Sequence, residues 1–376
     1  MMDGRVVEIT AGRGYLAVPD AGEGPGLLLF SDIADDEHEQ RRLCELYAAE
    51  GYVVLCPPLS AADKEADIAA AATALRGRAE CTGKIGAIGY GVAGVEAACL
   101  AAAGSHVDCA VGYCGPDFGP ELTEAAECPL VLHIAQGEPG TTPAAVAQLR
   151  NALGGRPNVS IHVYPGLTPG FDRPSKPNFD KQAAGLAHSR SIGLLRGIIG
   201  PRYDLEALWE RHTGYEFVSR DVDATMRTMV ADPYVNHVPV MTGGVGQHDL
   251  ARFYGHHFIP KCPADISLVP VSRTIGPDCV VDEMVVSFTH DVEIDWMLPG
   301  ILPTGRRVEV PLVVVVKFRG DKICHEHIYW DQASVLLQIG LLDPAGLPVA
   351  GRDTAKKLLD ETRPSNTLMK RWAESG

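Results

Sequence analysis

Lys84-Ile85-Gly86-Ala87-Ile88-Gly89-Tyr90-Gly91-Val92-Ala93-Gly94 is the stretch whose reading decides the fold. An apolar run of strand length meets a glycine-rich turn, and a helical pattern, Val92–Ala103, follows at once. Read as G-x-G-x-x-G, residues 89–94 spell a phosphate-cradling fingerprint, which is expected on the first strand of its domain. At least two strand–helix units precede this one. The acidic residue that should end the next strand is also missing, since Asp108 comes before Cys109–Tyr113. The better reading is a nucleophile elbow, G-x-nucleophile-x-G, whose strained turn needs small residues. Gly89, Ala93 and Gly94 supply them, and the nucleophile slot falls on Gly91.

Outward from this turn, residues 1–200 alternate short apolar strands (26–30, 52–56, 84–89, 109–113, 130–134, 159–164) with helical stretches (37–50, 65–78, 92–103, 143–152, 178–195). Such alternation predicts a parallel sheet covered on both faces, with any site beyond the carboxyl ends of its strands. After Ile199-Gly200-Pro201 the pattern changes. A long helical pattern over 204–230 and shorter pieces near 249–258 lead into long strands at 267–273, 279–293, 307–319 and 322–331, an α+β arrangement. The expected division is therefore 1–200, 201–345, and a tail over 346–376 packed on the outside.

Composition narrows the possible functions. The chain has 376 residues, 46% hydrophobic and 22% charged, which suits globular domains. A net charge of −15 argues against nucleic acid as partner. The apolar runs are of strand length, so no membrane span is expected. No signal-like start is seen in MMDGRVVEIT, and ten scattered cysteines without a CxxC pair read as buried thiols of a cytoplasmic protein.

The first half resembles the dienelactone hydrolase family of α/β-hydrolases. The resemblance rests on Gly14–Pro19, Ser31-Asp32-Ile33, Ala48–Val53 with Cys56-Pro57, Val111-Gly112-Tyr113, and Tyr164-Pro165-Gly166 with Gly170-Phe171. It implies a cysteine, an aspartate and a histidine as the catalytic triad. Matched residue by residue, those positions carry Gly91, Glu138 and Pro169. Glycine has no attacking atom and proline cannot move a proton, so the family mechanism is not expected here. Cys114 is a possible alternative nucleophile, with His133 on the next strand as its base. A water held by Glu138 or Asp32 is a second route to lactone hydrolysis.

The second half resembles the SnoaL-like branch of the nuclear transport factor 2 (NTF2) superfamily. Pro303–Pro311, Gly320–Ile323, Glu326-His327, Trp330-Asp331-Gln332 and Leu336–Leu342 carry the likeness, with Tyr234–Pro239 as an earlier landmark. The fold class expected is thus an α/β-hydrolase-type parallel sheet followed by an NTF2-like α+β cone with an apolar pocket. The resemblance implies acid/base chemistry, because a carboxylate in an apolar cavity exchanges protons near neutrality. His327, Asp331, His290 and His237 are the expected catalytic residues. Glu283, Tyr254, Trp296, His325 and Glu326 are expected to line the pocket. By strand period His325, His327 and Asp331 share one face, and Glu326 shares the other with Ile328 and Trp330. His325-x-His327 lacks a further histidine downstream, so no metal and no cofactor is expected. The leading expectation is an isomerase, cyclase or hydratase/dehydratase acting on a small apolar carbonyl compound, in a homodimer. The rivals are the altered hydrolase and a non-catalytic ligand-binding or assembly protein.

Overall fold

The computed structural model describes residues 3–9, 12–31, 37–59, 63–114, 127–137, 141–153 and 155–375. They fall into two compact units, Met1–Tyr203 and Asp204–Gly376. No described helix is long and apolar enough to cross a membrane. The nine cysteines whose side chains are described are all free thiols.

In the first unit the strands are β1 (Asp3–Ile9), β2 (Gly12–Val18), β3 (Gly24–Ser31), β4 (Val53–Cys56), β5 (Cys81–Tyr90), β6 (Cys109–Cys114), β7 (Leu130–Gln136) and β8 (Val159–Pro165). They form one sheet in the order β1-β2-β4-β3-β5-β6-β7-β8. From β4 to β8 every pairing is parallel, and β2 joins antiparallel at the edge. The helices are α1 (Glu37–Ala48), α2 (Lys64–Arg76), α3 (Gly91–Ala103), α4 (Pro143–Leu153) and α5 (Lys181–Ile198). Strand period two divides the core. Leu28 and Phe30 join one apolar cluster with residues of α2, α3 and α4, while Leu27 and Leu29 join another with residues of α1 and α5.

The glycine-rich turn is accounted for by this packing. A Cβ on Gly89 would stand 2.2 Å from the carbonyl oxygen of Gly94, and one on Gly94 would stand 2.7 Å from that of Phe30. These glycines let α3 lie hard against β3 and β5, which needs no phosphate to explain it. Gly91 opens α3 at φ +73°, the strained conformation that an elbow imposes on its central residue.

In the second unit α6 (Leu205–Thr213) runs into a π-helical turn over Gly214–Ser219, and α7 (Val222–Arg227) follows. The single long helix expected over 204–230 is thus three pieces. Asp204 and Asp221 cap α6 and α7, each accepting a bond from a backbone N–H three residues on. The strands are β9 (Met229–His237), β10 (Thr242–Val245), β11 (Ser267–Ile275), β12 (Cys279–Thr289), β13 (Arg307–Arg319) and β14 (Lys322–Trp330). Their order is β10-β9-β14-β13-β12-β11, antiparallel except for β14 with β9. α8 (Gly246–Phe253) continues into a second π-helical turn, Tyr254–Phe258. α9 (Gln332–Ile339) and α10 (Asp353–Leu359) complete the unit. Val308, Val310, Leu312, Val314, Val316 and Phe318 alternate along β13 into the core of the cone.

Candidate functional site

In the first unit the described residues at the elbow's nucleophile and base slots supply neither a nucleophile nor a base. Gly91 carries no side chain, and at the base slot Pro169 offers only its carbonyl, which accepts a 2.7 Å bond from Asn178 Nδ2. Glu138 and Asp32 lie outside the described residues. Cys114 ends β6, and its side chain also lies outside them. The base expected for Cys114 is already engaged. His133 is fully buried, with Nδ1 2.9 Å from the Tyr164 hydroxyl and Nε2 3.0 Å from Ser191 Oγ. Burial pushes its pKa well below the usual histidine range. Three tyrosines continue this buried network, Tyr113 bonding Ser191 Oγ, and Tyr47 bonding Tyr90 at 2.8 Å. Beyond the base slot, burial raises the pKa of Asp172 to about 6, and its Oδ2 has no hydrogen-bond partner.

The second unit holds a small cavity of about 50 Å³. Its walls are largely apolar and aromatic, with Phe217, Tyr254, Phe258, Met284, Trp296 and Leu312 among them. Into this setting the chain brings two carboxylates. Glu326 points inward from β14, and Glu216 projects from the π turn, each only 3% exposed. His212, one helical turn before Glu216, is fully buried, with Nε2 3.2 Å from Oε1 of Glu216 and 3.2 Å from Oε1 of Glu326. Its Nδ1 donates to Thr228 Oγ1 at 2.6 Å, because that hydroxyl itself donates to the Thr225 carbonyl at 2.6 Å. α6 is held over the sheet by Trp209, whose Nε1 donates to Asp282 Oδ2 at 2.8 Å, and Arg273 anchors the same carboxylate.

The electrostatics follow from this burial. Burial disfavours a charged His212, but the two carboxylates outweigh it and hold its pKa up at about 10. Burial raises the pKa of Glu216, with His212 opposing. His237, another wall residue, is held neutral, its pKa lowered to about 4 by burial. Its Nδ1 donates to the Thr242 carbonyl at 3.3 Å, so Nε2 is left as an acceptor. The buried hydroxyl of Tyr254 has no hydrogen-bond partner.

Of the residues picked from sequence, His237, Tyr254, Trp296 and Glu326 meet at this cavity. The others do not. His325 and His327 stack on each other, 4.7 Å between centroids, on the opposite face of β14 from Glu326. Asp331 caps α9, accepting from the backbone N–H and hydroxyl of Ser334. Its carboxylate is occupied by a helix terminus. His290 is fully buried away from the cavity lining, with Nδ1 3.2 Å from Thr304 Oγ1. Glu283 is likewise absent from the lining and accepts a bond from Ser272 on the neighbouring strand. His212 and Glu216 were missed, although His212-x-x-x-Glu216 puts both side chains on one helix face. Tyr234–Pro239, the earlier landmark of the resemblance, runs from the end of strand β9 into the turn that follows it.

Residues 60–199 match the model of the dienelactone hydrolase family, and residues 210–326 match that of the SnoaL-like domain. A carboxymethylenebutenolidase of Pseudomonas putida is 31% identical over 192 residues, covering 49% of this chain and 74% of that protein. The chain belongs to the dienelactone hydrolase family. A carboxymethylenebutenolidase of Pseudomonas sp. (strain P51) is 26% identical over 212 residues, 48% of this chain and 88% of the relative. Among solved structures, a Catenulispora acidiphila protein with a ketosteroid isomerase-like fold, solved in complex with trimethylamine, covers 36% of this chain and 93% of its own. Its sequence identity is 18% and its TM-score 0.29. The family's α/β-hydrolase fold is therefore followed, in this chain, by a SnoaL-like cone.

Proposed function

We propose that this chain is an enzyme whose chemistry runs in the C-terminal cavity, as proton transfer on a small, largely apolar carbonyl compound. The observation that carries the reading is two buried carboxylates and a histidine lining or backing an aromatic cavity, with the unpartnered Tyr254 hydroxyl beside them. Glu216, its pKa raised by burial, takes the proton next to the substrate carbonyl. Tyr254, kept protonated because burial raises its pKa, donates to the carbonyl oxygen as negative charge builds there. His212 and Glu326 fix the charge state of Glu216, and His237 Nε2 accepts from a substrate hydroxyl or N–H.

The test follows deuterium uptake by NMR, at carbons next to the carbonyl, for a panel of cyclic ketones and lactones in D₂O. Exchange is expected with the native chain, reduced on the order of 10²- to 10⁴-fold in Glu216→Gln. Exchange that survives in Glu216→Gln and Tyr254→Phe alike would refute the assignment.

A second reading, lactone hydrolysis in the first domain through a water held by Asp32 or Glu138, draws its support from family membership and the carboxymethylenebutenolidase relatives. Substitution of the Gly91 and Pro169 slots weighs against the family mechanism. Oxygen-18 incorporation from solvent, lost in Asp32→Asn or Glu138→Gln but kept in Glu216→Gln, would establish it over the first.

A further inference from the structure

His212 Nε2, Glu216 Oε1 and Glu326 Oε1 converge on one point, all within 4.8 Å of one another. Four features of this cluster point to a filled centre rather than to a packed polar core. The first is the imidazole tautomer. Thr228 Oγ1 spends its proton on the Thr225 carbonyl and so accepts from Nδ1, which turns Nε2 toward both carboxylates, where an ion that displaces its proton meets the lone pair. An outer hydrogen bond of this kind is how histidine ligands are oriented toward metal ions.

The second is what stays unbonded. Nε2 stands 3.2 Å from each Oε1, yet neither oxygen is placed to accept a hydrogen bond from it. Glu326 Oε1 has no partner in hydrogen-bond geometry either, and the same holds for the Tyr254 hydroxyl, 1% exposed and close enough to both carboxylates for them to raise its pKa. Buried polar atoms are almost always satisfied, and three orphans at one place call for a common partner.

The third is distance. Two donors each about 2.1 Å from one ion, and about 100° apart, stand about 3.2 Å from each other, which is the separation seen. The fourth is charge. Once the ion has displaced the Nε2 proton, a neutral imidazole and two carboxylates carry −2 in a desolvated site, and a divalent cation brings the sum to zero.

We propose that His212, Glu216 and Glu326 form a binding site for a divalent transition ion of the zinc class, which favours such mixed nitrogen and oxygen ligands. Three protein ligands leave a fourth position, and because Glu216 and Glu326 also line the cavity, that position opens toward it. Ion binding does not require Glu216 to transfer protons, but the site rests on the reading that the same cavity is open to small molecules. The ion and the catalytic proton compete for the same carboxylate oxygens, so loading the site stops proton transfer.

The experiment uses Co²⁺ as a visible probe on the full chain after chelator treatment, with no substrate present. Ligand-field absorption of a four- or five-coordinate ion is expected to saturate at one equivalent per chain, and Zn²⁺ is expected to abolish it. Glu326→Gln and Glu216→Gln weaken Co²⁺ binding by more than tenfold. Thr228→Val, which removes the outer bond to Nδ1 together with the bond to the Thr225 carbonyl but no ligand, weakens it on the order of tenfold. His325→Ala with His327→Ala, on the other face of the strand, leaves it unchanged. The proposal is overturned if the native chain shows no saturable band, if the band is indifferent to both glutamate variants, or if it disappears with the His325/His327 pair. Should a glutamate variant fail to fold, the native titration and Thr228→Val still decide. Deuterium exchange by the metal-free chain is measured separately, so a failed ion site and a failed proton-transfer site give different results.

Discussion

Replacing Asp172 by asparagine isolates one buried charge beside the vacated base position. Asp172 Oδ2 is shut off from solvent without a hydrogen-bond partner, and burial lifts the carboxyl from 3.8 to about 6 against the opposing pull of Arg173. The folded pKa lies above the unfolded one, so the folded state binds the proton more tightly. Stability from this group is therefore complete below pH 3.8, falls as pH rises toward about 6, and is level above that. At 1.36 kcal/mol per pH unit the full loss is about 3 kcal/mol, of which about 2 to 3 kcal/mol falls between pH 4 and pH 8. Asparagine cannot ionise. The new amide has its own burial cost, but that cost does not depend on pH and cancels when the two pH values are compared.

The assay is urea denaturation of both chains at a series of pH values. All four tryptophans (Trp209, Trp296, Trp330, Trp372) lie in the second unit, so their fluorescence follows that unit alone. Far-UV circular dichroism, less the tryptophan-reported transition, follows the first. Asp172→Asn is expected to gain about 2 to 3 kcal/mol relative to the native chain on going from pH 4 to pH 8. Parallel pH profiles for the two chains would show that Asp172 is not desolvated in the folded state, and the reasoning would fail.

Other expectations can be checked on the same material. Gly91→Cys restores no hydrolysis of nitrophenyl esters, because Pro169 supplies no base, and it costs on the order of 1 kcal/mol because the residue sits at positive φ; an acyl-enzyme burst in stopped-flow would contradict this. Glu50 is buried and accepts from Arg196 Nη2 at 2.8 Å and His188 Nε2 at 2.9 Å, so Glu50→Ala strands a buried guanidinium and costs about 3 to 5 kcal/mol in denaturant titrations. In the metal-free chain the tryptophan-reported transition loses stability as pH rises from 6.5 through about 10. His212 is charged and paired only when folded, so its contribution is complete below 6.5 and gone above 10; a flat profile over that range would remove His212 from its place between the carboxylates.

The first sheet was legible because its signals are local. Continuous apolar runs, short turns and glycines at fixed offsets give the strands away, and the family landmarks follow in order. The substitution of the triad could be read from three positions alone. The cone was legible in part. Period two along 322–330 put Glu326, Ile328 and Trp330 together on the buried face, yet the catalytic residues were sought on the face of His325 and His327, where histidine density is highest. Density of ionisable residues is a poor guide here, since solvent-side strand faces collect them for solubility. The inward carboxylate was the informative one. His212 and Glu216 went unnoticed because the π turn that delivers Glu216 has no signature in the pattern. β9 was hidden by Asp232-Pro233 and by its parallel pairing to β14, a contact between segments about 90 residues apart.

The two units each hold a carboxyl whose pKa is lifted by burial, and comparing them gives the reason for proposing the chemistry in the second. Asp172 has a guanidinium next in sequence that opposes the lift. Glu216 faces a cavity of about 50 Å³ with a protonated tyrosine beside it, so a small molecule bound there would meet the acid and the base together. A raised pKa prepares a proton for transfer, but only an open volume brings it an acceptor. On the proposed reading the desolvation cost at Glu216 holds a base ready where a carbonyl compound can reach it, and filling the cavity by Val286→Phe should therefore abolish deuterium exchange while leaving the tryptophan-reported fold intact.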